Sequence, residues 1–91
     1  RALIDAACRV VSSASTAHVA STRAGLRPAT PDGLPLIGWS SVAPGVMYAA
    51  GHFRNGVLLA PLTASLVADA MLDSRIDPAL ATTSPARFGR I

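Results

Sequence analysis

Between Arg27 and Gly38 the chain reads Arg-Pro-Ala-Thr-Pro-Asp-Gly-Leu-Pro-Leu-Ile-Gly, with prolines at 28, 31 and 35 and glycines at 33 and 38. No helix passes through such a stretch, because each proline lacks a backbone N–H and its ring collides with the carbonyl four residues back. Pro31-Asp32-Gly33 has the chemistry of a tight turn. Leu34, Leu36 and Ile37 then predict a short apolar strand leaving it. Pro28 biases Arg27 toward extended backbone, which gives the arginine a defined exit direction. Two roles are open to Arg27. It can pair with a carboxylate of its own domain, which residue type alone favours, or fork onto a ligand carboxylate, the geometry a guanidinium suits best.

The second constraining stretch is Gly51-His52-Phe53-Arg54-Asn55-Gly56-Val57-Leu58-Leu59-Ala60-Pro61. Val46 to Ala50 before it predicts a short buried strand, and Leu62 to Leu72 after it a helix. Leu59, Leu62, Leu66, Val67, Ala70 and Met71 form the apolar stripe of that helix. Pro61 belongs in a first turn, so ordered helix is expected to begin near Ala60. A glycine-bounded loop between a strand and a helix N-terminus is a common place to hold a small molecule. Gly51 and Gly56 let the backbone turn sharply and approach a ligand. His52, Arg54 and Asn55 put polar side chains between them. Free N–H groups and the macrodipole of the helix would join Arg54 in favouring an anion or an electron-rich carbonyl.

Residues 1–13 read as an amphipathic helix, with Leu3, Ile4, Ala7, Val10 and Val11 on one stripe. Arg1, Asp5 and Arg9 lie on another face, where each exposed pair contributes about 0.2–0.5 kcal/mol. The serines at 12, 13 and 15 end it by competing for backbone hydrogen bonds. Residues 17–26 read as a strand carrying a partly exposed His18, and Trp39 to Gly45 as a loop. Asp77-Pro78 reads as an N-cap followed by proline at the first helical position. Thr82 to Ile91 reads as a polar tail with a further proline turn.

Ninety-one residues bound the chain to one small domain. All eight basic residues are arginine and all five acidic ones aspartate, a net charge of +3. The arginines are scattered singly without interleaved aromatics, which argues against a nucleic-acid partner. The single Cys8 excludes an internal disulfide framework and offers no metal spacing, and it reads as a small apolar residue. No run is apolar and long enough to span a bilayer, so no membrane partner is expected. No paired carboxylates and no nucleophile with a triad-like context are present. The chain starts at Arg1, inside a helix-like pattern, and is expected to be a piece of a larger protein.

The pattern Ala24-Gly25-Leu26-Arg27-Pro28-x-Thr30-Pro31-Asp32-Gly33-Leu34-Pro35-x-Ile37-Gly38 is followed by Gly51-His52-x-Arg54-Asn55-Gly56-x-Leu58-Leu59-Ala60-Pro61. Together, and with Ser84-Pro85-Ala86-Arg87-Phe88, they resemble the C-terminal part of glycine oxidases, FAD flavoenzymes of the D-amino-acid oxidase family that serve thiamine biosynthesis. The resemblance implies an α/β fold, here an α+β fragment. Residues 1–45 would be a substrate-domain portion of helix, strand, proline-rich turn and strand, with 17–26 and 34–37 in its antiparallel sheet. Residues 46–72 would be the last strand and helix of a Rossmann-like FAD-binding domain, and 73–91 a C-terminal tail.

The resemblance also implies that Arg27 and Arg54 hold the substrate carboxylate. Gly51, His52, Phe53, Arg54, Asn55, Gly56, Val57 and Leu58 would border FAD. It assigns no catalytic side chain and no metal ligand. It implies a cytoplasmic homo-oligomer that oxidises glycine or another small amino acid with oxygen as acceptor. D-amino-acid dehydrogenases and sarcosine-oxidase-like enzymes share the Arg-Pro and Gly-His elements. A non-catalytic truncated domain is the alternative from outside the flavoenzymes.

Overall fold

A computed structural model describes residues Arg1–Ile91. Its elements run helix α1 (Ala2–Val10), a 3-10 turn (Ser12–Thr16), strands β1 (Leu36–Trp39) and β2 (Met47–Ala50), helices α2 (Gly56–Leu72) and α3 (Ala79–Thr83), and a second 3-10 turn (Pro85–Phe88). The architecture is mixed helix and sheet, as expected for an α/β chain.

β1 and β2 form a two-stranded antiparallel sheet, with Leu36 opposite Ala50 and Trp39 opposite Met47. The strand predicted from Leu34, Leu36 and Ile37 therefore pairs with the one predicted at 46–50, which is half-buried at Met47 and Tyr48 and exposed at Ala49 and Ala50 rather than buried. The core lies where α2 and α3 meet β1: Ile37, Ala70 and Leu80 are buried, and Met47, Leu66 and Val67 pack against them. The Asp77 carboxylate accepts the Ala79 amide at 2.8 Å and caps α3, as the Asp-Pro pair predicts. Thr83 Oγ1 donates to the Ile37 carbonyl and ties α3 to the sheet.

The polar tail is more ordered than its sequence suggests. Ser84 Oγ accepts the Ala86 amide and opens the second 3-10 turn. Pro85 is fully buried. It sits so close to β1 that a Cβ on Gly38 would lie 2.7 Å from Pro85 Cδ, a contact only glycine permits. The Ile91 carbonyl accepts from the Ser41 amide and from both the Ser40 and Ser41 hydroxyls.

Three sequence expectations are corrected. Residues 17–26 form no strand, because β1 and β2 pair only with each other and no ladder partner reaches this segment. Helix α1 stops at Val10 rather than 13. Ser15 and Thr16 hydroxyls donate to the Ser12 and Ser13 carbonyls and wind the chain into a 3-10 turn. α2 begins at Gly56 rather than near Ala60, so Pro61 stands in its second turn. The carbonyl that loses its donor there belongs to Val57, which is 93% exposed and open to water.

The fold is open. Only six of 91 residues are buried. The radius of gyration is 17.8 Å, against about 12 Å for a compact chain of this length. No residue of α1 is buried, and its stripe residues Leu3 and Val10 are more than four-fifths exposed.

Candidate functional site

The proline-rich turn and the loop after β2 meet through the backbone. The Phe53 amide donates to the Pro28 carbonyl at 3.0 Å. Thr30 Cγ2 comes so near the loop that a Cβ on Gly51 would lie 2.8 Å from it. Gly51 adopts φ +75°, where side chains are disfavoured, so both its conformation and its neighbour require glycine. Phe53 also takes a positive φ of 48°. Such a conformation in a bulky residue persists only when its surroundings hold it. Here the Pro28 bond on one side and the Asn55 amide donating to the His52 carbonyl at 2.9 Å on the other supply that hold.

His52 fastens the loop to the following helix. Its Nε2 lies 2.9 Å from Thr63 Oγ1, two turns into α2. The histidine is thereby engaged as a brace. Asn55 occupies the N-cap of α2 but makes no capping bond with its side chain. Leu59 is the first residue of the helix to donate inward, to the Asn55 carbonyl. The amides of Gly56, Val57 and Leu58 have no acceptor within the chain. Three free donors thus face outward at the positive end of a 17-residue helix. Val57 and Leu58 beside them expose apolar surface.

Arg27 and Arg54 each stand one residue from the Pro28–Phe53 bond, on the two segments that it joins. Neither makes a salt bridge, since the only ion pairs are Arg75–Asp73 and Arg87–Asp32. Arg54 rests its guanidinium 5.3 Å from the Phe53 ring centroid. The intradomain pairing open to Arg27 on residue type is absent, and the carboxylate nearest in sequence, Asp32, is already taken. Two free guanidiniums and three free helix-end amides suit an anionic or carbonyl-bearing ligand.

Arg87 and Asp32 are the pair that sequence reasoning missed. Arg87 Nε donates to Asp32 Oδ2 at 2.7 Å and Nη2 to Oδ1 at 3.2 Å. Asp32 also accepts from Thr30 Oγ1 and the Leu34 amide. The Arg87 guanidinium, chiefly by hydrogen bonding, holds the Asp32 carboxyl well below the usual carboxylate range. A separation of 55 residues leaves no local pattern by which the pair could be found. The chain's cavity, about 370 Å³, is lined by Trp39, Ile76, Pro78 and Leu80 among others, and by none of the predicted site residues. No group of three or more metal-ligating side chains occurs.

Residues 1–70 match the family described as FAD dependent oxidoreductase. The chain belongs to that family of flavoenzymes, and FAD is the cofactor that membership implies. Among its relatives, the bifunctional protein ThiO/ThiG of Trichormus variabilis is 50% identical over 64 residues, 70% of this chain and 10% of that protein. The glycine oxidase of Bacillus subtilis is 48% identical over 54 residues, 59% of this chain and 15% of the enzyme. The hydrogen cyanide synthase subunit HcnC of Pseudomonas aeruginosa is 34% identical over 86 residues, 94% of this chain and 21% of that subunit. The chain thus spans a tenth to a fifth of the length of these relatives. No solved structure matches it.

The residues present fit one edge of a flavin. The uncapped amides of α2 and Arg54 are the donor set that electron-rich ring carbonyls need, and Val57 and Leu58 offer apolar surface next to them.

Proposed function

We propose that the complete protein oxidises glycine or a similarly small amino acid with FAD, as the glycine oxidases do. The observation that carries this reading is the Pro28–Phe53 hydrogen bond, which brings two unpaired arginines to the loop at the N-terminus of α2. When bound, FAD would supply a two-electron acceptor for the hydride of the amino acid's Cα. With loss of a proton from nitrogen the amino acid would become an imine, which water would convert to an oxo acid and ammonia, and oxygen would take up the two electrons and two protons as hydrogen peroxide.

The chain's own part is positional. Arg27 and Arg54 hold the substrate carboxylate and thereby aim the Cα–H. Arg54 and the amides of Gly56, Val57 and Leu58 stabilise negative charge gathering at one edge of the cofactor. Gly51, His52, Phe53 and Asn55 set the loop, with His52 braced on Thr63. Hydride transfer from the neutral amine asks of these residues that they hold and orient the substrate.

On the resemblance, residues 46–72 close a Rossmann-like FAD-binding unit and residues 1–45 belong to a substrate unit. The resemblance alone extends the reading to a cytoplasmic homo-oligomer serving thiamine biosynthesis. Oxygen as acceptor is what the name oxidase, carried by several relatives, supports.

The test is steady-state kinetics of the full-length protein with glycine. Removing one partner of a buried charge-assisted pair costs about 2–5 kcal/mol, so Arg27→Ala and Arg54→Ala should each raise KM by ~30-fold or more. Unchanged kinetics in both variants would defeat the carboxylate clamp.

A further inference from the structure

Arg87 has no donor left for a ligand. Besides its two bonds to Asp32, Nη2 donates to the carbonyls of Leu34 and Pro35, both at 2.9 Å. Nη1 donates to the carbonyls of Thr83 and Ser84 at 2.7 and 3.0 Å. Its plane also lies 4.3 Å from the Phe88 ring centroid. One side chain thus joins the C-terminal 3-10 turn to both ends of the Pro31–Pro35 turn.

The contacts continue toward the loop. Asp32 Oδ1 accepts Thr30 Oγ1 at 2.9 Å, and the same hydroxyl reaches the Leu34 carbonyl at 2.6 Å. These bonds fix the Thr30 rotamer, and Thr30 Cγ2 is the group pressed on Gly51. Two residues before Thr30, the Pro28 carbonyl receives the Phe53 amide. Arg87, Asp32, Thr30 and Gly51 therefore form an unbroken line of contacts from the tail to the segments carrying Arg27 and Arg54.

We propose that Arg87 is a positioning residue for the carboxylate clamp: by locking Asp32 and the turn around it, it fixes Arg27 against the 51–55 loop and keeps Asp32 from pairing with Arg27. This rests on the clamp reading above. A second effect follows from charge. An Asp32 released from Arg87 is a carboxylate on the Arg27 turn, free to occupy that guanidinium or to repel a substrate carboxylate. Lysine is no substitute, because a single ammonium cannot span the Asp32 carboxylate and four carbonyls in a fixed plane.

The experiment uses the full-length protein with Arg87→Gln, Arg87→Lys and Asp32→Asn. Amide hydrogen exchange at Phe53 reads the turn-to-loop contact without flavin or turnover, and glycine KM and kcat read its consequence. Loss of a charge-assisted bond network predicts Phe53 exchange and glycine KM each up about tenfold in both Arg87 variants, with kcat within about twofold. Asp32→Asn keeps the turn's acceptor oxygen and carries no charge, so it stays folded should Arg87→Gln not. It should raise Phe53 exchange and KM less, and adding it to Arg87→Gln should bring KM back toward the wild-type value. Such recovery is foreign to a merely structural role.

Unchanged Phe53 exchange in Arg87→Gln overturns the proposal, as does raised exchange with unchanged KM. Wild-type protein that binds acetate but oxidises no glycine defeats the oxidase reading alone. The acetate dissociation constant then replaces KM, with the same tenfold expectation.

Discussion

Gly51→Ala tests the join between turn and loop at its tightest point. Two separable terms contribute. The backbone at φ +75° sits in the left-handed region, and holding a non-glycine residue in such a sparsely populated conformation costs about 1–3 kcal/mol. The new methyl would also lie 2.8 Å from Thr30 Cγ2, well inside van der Waals contact. Thr30 cannot easily swing away, because its hydroxyl is bonded to both Asp32 and the Leu34 carbonyl. Overpacking of this kind adds about 1–3 kcal/mol. The expected total is about 2–6 kcal/mol, read from the shift in urea midpoint of the full-length apoprotein. Thr30→Ser in the same background removes the offending methyl and keeps the hydroxyl. It should recover the packing part and leave the backbone part. A Gly51→Ala protein within about 0.5 kcal/mol of wild type, the range of unremarkable surface changes, would refute the reasoning. So would a Thr30→Ser that recovers nothing.

Three further outcomes are expected. Asp32 has a depressed carboxyl pKa in the folded chain, so its pair stabilises the fold above the ordinary carboxylate range, and that stability drains away as pH falls through the folded value. Acid titration of thermal stability should therefore be flatter in Asp32→Asn than in wild type below about pH 4, where unfolded aspartates begin to protonate. His52→Ala should lose about 0.5–1.5 kcal/mol through the bond to Thr63, and Thr63→Val should cost a similar amount without adding to it, as chemical denaturation of the double variant would reveal. Pro61→Ala restores a donor for the Val57 carbonyl within α2 and should raise Tm, a gain visible by circular dichroism at 222 nm and absent if the helix started at Ala60.

The elements that declare themselves locally were legible in the sequence. Pro31-Asp32-Gly33 specifies its turn through ring and side-chain chemistry, and Asp77-Pro78 its cap, with no help from distant residues. The start of the loop at Gly51 was legible for the same reason, since its φ of +75° suits glycine, whereas Phe53 takes its positive φ with no such mark in the sequence. Residues 17–26 were not. Alternation supplies a strand's faces, but a strand also needs a ladder partner, and the sequence cannot say that none is within reach. Pro61 misled in the opposite direction. Its rule concerns a lost bond, and exposure of the Val57 carbonyl makes that loss tolerable. Arg87 and Asp32 escaped because nothing in either neighbourhood signals a partner 55 positions away. The same distance hid the fact that Asp32 is spoken for, which leaves Arg27 free.

That separation also sets an order in time. A ribosome adding about 5–20 residues per second reaches Arg87 roughly 3–11 seconds after Asp32. Closing a loop of 55 residues then costs about 3–4 kcal/mol of chain entropy before any contact is made. Throughout that interval the proline turn emerges with its aspartate unmatched. A chain that has passed the proline turn but not yet reached Arg87 holds Asp32 without its partner. The Arg87–Asp32 bond is thus a late closure: nothing translated before residue 87 holds the proline turn in this way.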